Sequence, residues 1–264
     1  MLKHFFFGTL SALCLSTAPL LQAADAEQEG HAIARAYDIS DAGFRDSRVK
    51  VRMVLRNAVG QEVSRDLLLS TLEKDGTDTG DKTLVVFLSP ADVRDTALLS
   101  HPHVQEADDQ WLYLPAIKRV KRISTSNKSG PFVGSEFAFE DFTSQELEKY
   151  RYEFVRRDSI GGRPVDVVTR FPRDTHSGYS RQVAYFDVEN KQPLRVEFFD
   201  RKQELLKTLD LSDYRNQNGI WRPHFQKMVN HQTGKSTDLQ MSGYEFGVGL
   251  KASDFDSSAL NRLK

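Results

Sequence analysis

The stretch Tyr150-Arg151-Tyr152-Glu153-Phe154-Val155-Arg156-Arg157-Asp158-Ser159-Ile160-Gly161-Gly162-Arg163-Pro164-Val165-Asp166-Val167-Val168-Thr169-Arg170-Phe171 decides the fold class. Tyr150, Tyr152 and Phe154 alternate with charged residues, a period of two that places the aromatics on one face of an extended strand. Gly161-Gly162 then supplies the two left-handed positions of a tight hairpin, and Val165 to Phe171 reads as the returning strand. The same text continues on both sides. Val49, Val51 and Met53 alternate with Arg48, Lys50 and Arg52, and Asn57 to Gly60 turns the chain into a run through Val63 and Leu67. Leu84 to Leu88 and Trp111 to Ile117 are continuous apolar runs. Val183 with Tyr185, Leu194 to Phe198, Leu205 to Leu209, Phe225 to Val229 after the Asn218-Gly219 turn, and the run around Leu239 and Met241 follow. About ten evenly spaced strands predict a mainly β (α+β) protein built on one large antiparallel sheet, curled or barrel-like. One helix is expected, over Glu27 to Tyr37, with Ile33, Ala36 and Tyr37 on one side.

The chain has 264 residues, of which 39% are hydrophobic and 28% charged, with a formal net charge of -1. That balance argues against an integral membrane protein and against a general nucleic-acid binder. Cys14 is the one cysteine, which excludes CxxC-type zinc sites, iron-sulfur clusters and intrachain disulfides. Lys3 and His4 precede an apolar run from Phe5 to Leu21 and a small-residue switch at Gln22 to Ala26, the pattern of a secretory signal peptide, with cleavage expected after Ala23 and Ala24 or Ala26 as alternatives. Residues 1–23 are therefore expected to be an address, and 24–264 a single exported domain of the periplasm.

Enzyme signatures fail on inspection. Gly234-Lys235-Ser236 lacks the first P-loop glycine, since Val229 stands there. No G-x-S-x-G elbow is present, and Ser124 to Lys128 does not give S-x-x-K. His101 and His103 with Asp108 and Asp109 read as a polar loop rather than a metal site. Glu140 and Asp141 are neighbours that would point opposite ways on an extended segment, so a cap or salt-bridge role is expected of them. Catalytic residues, metal ligands and cofactors are all expected to be absent. Two features remain. Ser124 to Ser144 is the longest irregular stretch and carries Phe132, Phe137, Phe139 and Phe142, which fits either a core plug or the lining of a site. Lys118, Arg119, Lys121 and Arg122 form a basic run, either a solvated strand end or a rim that meets anionic head groups or an acidic partner.

The segment Gln110 to Ile123 (QWLYLPAIKRVKRI) followed by Gly130 to Phe142 (GPFVGSEFAFEDF) resembles the outer-membrane lipoprotein-sorting proteins, relatives of the lipoprotein carrier LolA. The early hairpin at Arg48 to Leu69, Leu88-Ser89-Pro90, Ala97-Leu98-Leu99 and the closing Lys251-Ala252-Ser253-Asp254-Phe255 extend the resemblance over most of the chain. It implies a half-open antiparallel β-barrel of ten or eleven strands with a few helices over its concave face. It also implies a non-enzymatic carrier of lipid or lipoprotein acyl chains, and an inner-membrane transporter of the resistance-nodulation-division type as partner. On that reading Phe87, Trp111, Tyr113, Phe132, Phe137, Phe139 and Phe142 are the expected cavity or mouth residues, with ordinary core packing as their alternative. The basic run would meet head groups or a partner. An accessory module of a transporter complex, without a cargo, is the rival function, and a lipid hydrolase the more distant one.

Overall fold

The computed structural model describes residues 18–262. The proposed signal segment lies largely outside them; the described part of the chain opens with α1, Ala18–Asp41, longer at both ends than the expected helix. Thirteen strands follow: β1 Asp46–Arg56, β2 Glu62–Leu72, β3 Lys82–Ser89, β4 Ala97–His101, β5 Asp109–Leu114, β6 Arg119–Arg122, β7 Tyr150–Ile160, β8 Arg163–Pro172, β9 Tyr179–Asp187, β10 Pro193–Asp200, β11 Leu205–Gln217, β12 Ile220–Asn230 and β13 Ser236–Phe246. All belong to one sheet in the order β6-β5-β4-β3-β2-β1-β13-β12-β11-β10-β9-β8-β7, and every pairing is antiparallel.

This order is two meanders joined where β1 pairs β13, so β6 and β7 become the two edges. The sheet is open, and its strand count exceeds the ten or eleven expected. The excess comes from short strands such as β4 and β6, five and four residues long, which a period-two reading does not resolve. The run Trp111 to Ile117 is also not one strand. Pro115, which has no N–H to give the ladder, opens a 3-10 turn over Pro115–Ile117, and Lys118 closes it in the left-handed region at φ 49°. Only Arg119, Lys121 and Arg122 of the basic run are on a strand. Gly161 and Gly162 take φ 56° and 81°, and Asn218 and Gly219 take 56° and 91°, the paired positive φ values that such hairpins demand. Bulges between Arg48 and Lys50, Asp66 and Leu67, and Phe154 and Arg156 add local twist and help the sheet curl.

The topology places a demand on the connection from β6 to β7, because it must pass between opposite edges, about 58 Å apart along the sheet at the usual strand spacing. It does so across the concave face. Phe132 is fully buried and Phe137 is 3% exposed, in the same core as Val49, Val51 and Met53 of β1, Phe87 of β3 and Met228 of β12. The Phe-rich segment is thus a plug, fastened to both halves of the sheet. Gln110 Nε2 donates to the Phe139 carbonyl at 2.8 Å and Thr83 Oγ1 to the Phe142 carbonyl at 3.0 Å. On the other half, the Glu136 N–H donates to Thr237 Oγ1 at 3.0 Å, and Lys207 Nζ to Asp141 Oδ2 at 2.7 Å.

Among the described residues one α-helix, not several, shares the concave side with this plug. α1 comes so close to β7 at Gly30 that a Cβ there would lie 2.6 Å from the Phe154 backbone nitrogen. Ala34, Ile33 and Tyr37 pack into the core, whereas Ala36 does not join it. The outer face is covered near β3 to β5 by the C-terminal turns. There Phe255 and Leu260, from 3-10 turns at Ala252–Phe255 and Ser257–Arg262, bury Leu84, Ala97, Leu99 and Tyr113. Burial on both faces explains why Leu84 to Phe87 is apolar throughout, whereas Leu88 is exposed.

Candidate functional site

Two adjoining cavities lie between α1, the plug and the concave face. One of about 270 Å³ is bordered by Phe137 of the plug and, from the sheet, by Phe186, Val196, Phe198, Leu209 and Met228. The other, about 230 Å³, is bordered by Val49, Leu69, Tyr214, Trp221 and Tyr244. Tyr37, Asp41, Asp81, Pro193, Leu211 and Gln226 border both. The sheet side of the larger of the two is mainly apolar because strand alternation sends the inward residues of β9 to β12 there. The polar groups come from the end of α1, from the 73–81 loop, from Asp141 to Glu146 of the crossing segment and from Arg170 of β8.

Most of those polar groups are paired. Arg222 donates to Asp41 and lies over the rings of Phe44 and Phe246, at 4.9 and 5.7 Å. Lys74 Nζ donates to Glu146 Oε2 at 2.8 Å and is 3.9 Å from Asp38. Glu73 receives the backbone N–H groups of Gly43 and Arg45, at 2.5 and 2.6 Å. These contacts tie the C-terminal end of α1 and the segment after it to the sheet. Burial pushes the Asp38 and Asp41 carboxyls up, opposed by Lys74 and by Arg222 respectively. Asp81 is pushed up to about 6, by burial first and then by the charges of Glu146 and Asp41, although the Lys74 N–H donates to it at 2.9 Å. Arg170, on β8, borders the larger cavity, is 6% exposed, and leaves its Nε without a partner.

The aromatics singled out in the sequence separate into three places. Phe137 borders the larger cavity. Phe87, Phe132, Phe139 and Phe142 fill the space beside it, with Phe132 centred 5.6, 5.7 and 4.5 Å from the other three rings. Trp111 and Tyr113 face the opposite side of the sheet, in the cluster of Phe255 and Leu260, and border neither cavity. Lys118, Arg119, Lys121 and Arg122 are exposed along edge strand β6 and its turn, Arg122 pairing with Asp109. Glu140 and Asp141 sit in a 3-10 turn, not an extended segment. Glu140 receives Ser177 Oγ at 2.8 Å and the Gly178 N–H at 2.9 Å, while Asp141 receives the Ala138 N–H, the Tyr179 hydroxyl and Lys207. Both are fasteners of the plug. His101 Nε2 contacts the Phe255 carbonyl at 2.6 Å and His103 Nε2 is 3.3 Å from Asp109.

Sequence reasoning missed Tyr37, Asp41, Asp81, Arg170 and Leu211. Arg170 had a signal: it shares strand parity with Val168, which is buried inward, so a charge was being sent to the interior. A third cavity, about 470 Å³ at the Lys128 and Lys149 end of the plug, is lined mainly by charged and polar side chains. Lys128 pairs there with Asp174 and Lys149 with Asp108.

An open antiparallel sheet curled around a cavity with an apolar sheet-side wall, with a helix and a crossing segment over its concave side, defines a LolA-like protein. A domain from Vibrio parahaemolyticus, whose proposed role is outer-membrane lipoprotein sorting, is 47% identical, with 89% of this chain and 100% of that one covered and a TM-score of 0.87. A DUF1329 family protein from Desulfovibrio piger is 29% identical over 89% of this chain and 99% of its own, with a TM-score of 0.84. A LolA superfamily protein from Nitrosomonas europaea shares the fold, at 20% identity, 86% and 97% coverage and a TM-score of 0.69. A family model described only as an uncharacterized protein matches residues 79–262. Among proteins of curated function none matches. The chain belongs to the outer-membrane lipoprotein-sorting protein family.

Proposed function

We propose that residues 1–23 direct export and that residues 24–264 form a periplasmic carrier, which holds the acyl chain of a lipid or lipoprotein between α1 and the sheet and passes it between membranes. The observation that carries this reading is the apolar wall of the larger cavity, formed by Phe137, Phe186, Val196, Phe198, Leu209, Leu211 and Met228, facing a polar side at the end of α1 and Glu146. A methylene takes about the volume of a water, about 30 Å³, so 270 Å³ corresponds to about nine methylenes. At about 0.8 kcal/mol each, their burial contributes about 7 kcal/mol before ordering costs. The chemistry is binding, with no bond made or broken. Among the described residues no helix is long and apolar enough to cross a membrane. The exposed basic residues Lys118, Arg119, Lys121 and Arg122 are the proposed contact with head groups or with a resistance-nodulation-division transporter.

The test is uptake of a fluorescent fatty acid by purified protein, with native mass spectrometry of protein taken from its own envelope. Leu211→Trp, which fills the junction of the two cavities, is expected to abolish uptake while leaving the melting temperature within a few degrees. Undiminished uptake in that variant, or no uptake and no co-purified lipid in the parent, overturns the carrier. A cargo-free docking module is the second reading, favoured by one observation: Phe87, Phe132, Phe139 and Phe142 fill much of the concave interior. Capture of a transporter by lipid-free protein, lost when the β6 basic residues are replaced by serine, supports it.

A further inference from the structure

The guanidinium of Arg170 is the feature of the interior that the carrier reading leaves unused. It projects from β8 on the concave face, between cross-strand neighbours Tyr152 of β7 and Gln182 of β9, with the Tyr150 ring 5.5 Å from its central carbon. The residue is 6% exposed and borders the larger cavity. Among the described residues it forms no ion pair and no hydrogen bond, and its Nε is buried without a partner. Each of the six carboxylates on the cavity wall has another partner: Asp38 lies 3.9 Å from Lys74 Nζ and Glu73 receives the Gly43 and Arg45 N–H groups. Asp41 takes Arg222, Asp141 takes Lys207, Glu146 takes Lys74, and Asp81 receives the Lys74 N–H. Gln182 is 2% exposed and its Oε1 is also unpartnered. Turning that oxygen toward Arg170 would satisfy one N–H and still leave the positive charge uncompensated. Proteins rarely keep a buried cation without a counter-ion, because desolvation is costly unless a partner is supplied; a planar fork of donors at the edge of a cavity whose sheet-side wall is apolar fits a carboxylate or phosphate oxygen pair.

We propose that Arg170 is the anchor for the anionic head of a single-chain amphiphile, whose acyl chain lies along Phe186, Val196 and Phe198. The shared chemistry is a terminal oxyanion on one chain, either the carboxylate of a free fatty acid or the phosphate of a phosphorylated lipid. The proposal rests on the carrier reading and adds to it the head group and its direction, inward rather than at the mouth. It also explains why a carrier would keep an unpaired cation: the ligand is the missing partner.

The test compares laurate, dodecyl phosphate and methyl laurate as displacers of a fluorescent acyl probe, in the parent protein and in Arg170→Met and Arg170→Lys. The parent is expected to bind at least one of the two anions about tenfold more tightly than the uncharged ester, and the better anion identifies the head. Arg170→Met is expected to bind ester and anions within about twofold of one another, and Arg170→Lys to keep the preference. A second readout is thermal: the ligand-free Arg170→Met protein is expected to melt higher than the parent and to gain nothing further from laurate or dodecyl phosphate. An ester bound as tightly as both anions by the parent, or a preference that survives in Arg170→Met, overturns the anchor and leaves the carrier standing. Binding of none of the three compounds overturns both.

Discussion

Replacing Asp81 by asparagine changes one charge and little else. Asp81 lies on the 73–81 loop where both cavities meet, and its Oδ1 receives the Lys74 N–H at 2.9 Å, a bond that an asparagine carbonyl accepts equally. Its carboxyl is pushed from 3.8 up to about 6, by burial and then by the neighbouring Glu146 and Asp41 charges. A rise of about two units corresponds to about 3 kcal/mol favouring the protonated group in the folded state. The sign follows from linkage. The folded chain binds the proton more tightly than the unfolded chain, so this contribution to stability is fully present below about pH 4 and is lost as pH rises through about 6. At pH 7.5 the parent therefore carries a destabilised carboxylate, and Asp81→Asn removes it. The expected gain is about 3 kcal/mol as an upper figure, or about 6 to 12 °C in Tm for a chain of this size. At pH 4 the two proteins are expected to melt together. Differential scanning fluorimetry from pH 4 to 8 reads both ends of the curve. If the parent and variant differ by the same amount at pH 4 and pH 7.5, the reasoning about Asp81 is wrong.

Three further substitutions probe how the concave side is assembled. Phe132→Ala removes a fully buried ring that meets Phe87, Phe139 and Phe142; urea unfolding is expected to show a loss of about 3 to 5 kcal/mol, and a loss under 1 kcal/mol would contradict the plug. Lys207→Met breaks a pair whose side chains are 4% and 8% exposed and leaves the Asp141 charge buried. The expected cost, from the same measurement, is about 3 to 5 kcal/mol; near-neutrality would show that the ion pair does not hold the plug to β11. Gly30→Ala separates two opposing effects. Helix propensity alone would stabilise by about 1 kcal/mol, but the added Cβ falls 2.6 to 2.9 Å from β7 backbone atoms, an overpacking cost of about 1 to 3 kcal/mol. Net destabilisation in a thermal melt is the expected sign, and stabilisation would show that α1 does not press on β7.

What could be read from the sequence was what is decided locally. The hairpins at Gly161-Gly162 and Asn218-Gly219 were legible because positive φ at two consecutive positions is a demand that few residues meet, and their register followed. The Phe-rich connection was legible as anomalous, yet the choice between plug and lining depends on where its ends lie. Only the pairing of β1 with β13 puts those ends on opposite edges, and that pairing joins residues almost two hundred positions apart. Trp111 and Tyr113 show the same limit from the other side. Alternation correctly places them on one face and Leu112 on the other, but both faces of β5 are buried, one by the plug and one by Phe255 and Leu260. With both faces apolar, parity says which residues share a side and cannot say which side is inside. Arg170 breaks that symmetry on β8: Val165 and Val167 cluster with Leu194, and Val168 with the main core, so the two sides look alike until a charge is put on one of them. A charge sent to an apolar interior is tolerated only for a reason; Lys207 has its reason in Asp141, and Arg170, which has no such partner, is therefore more informative about function than the aromatics that obey the pattern.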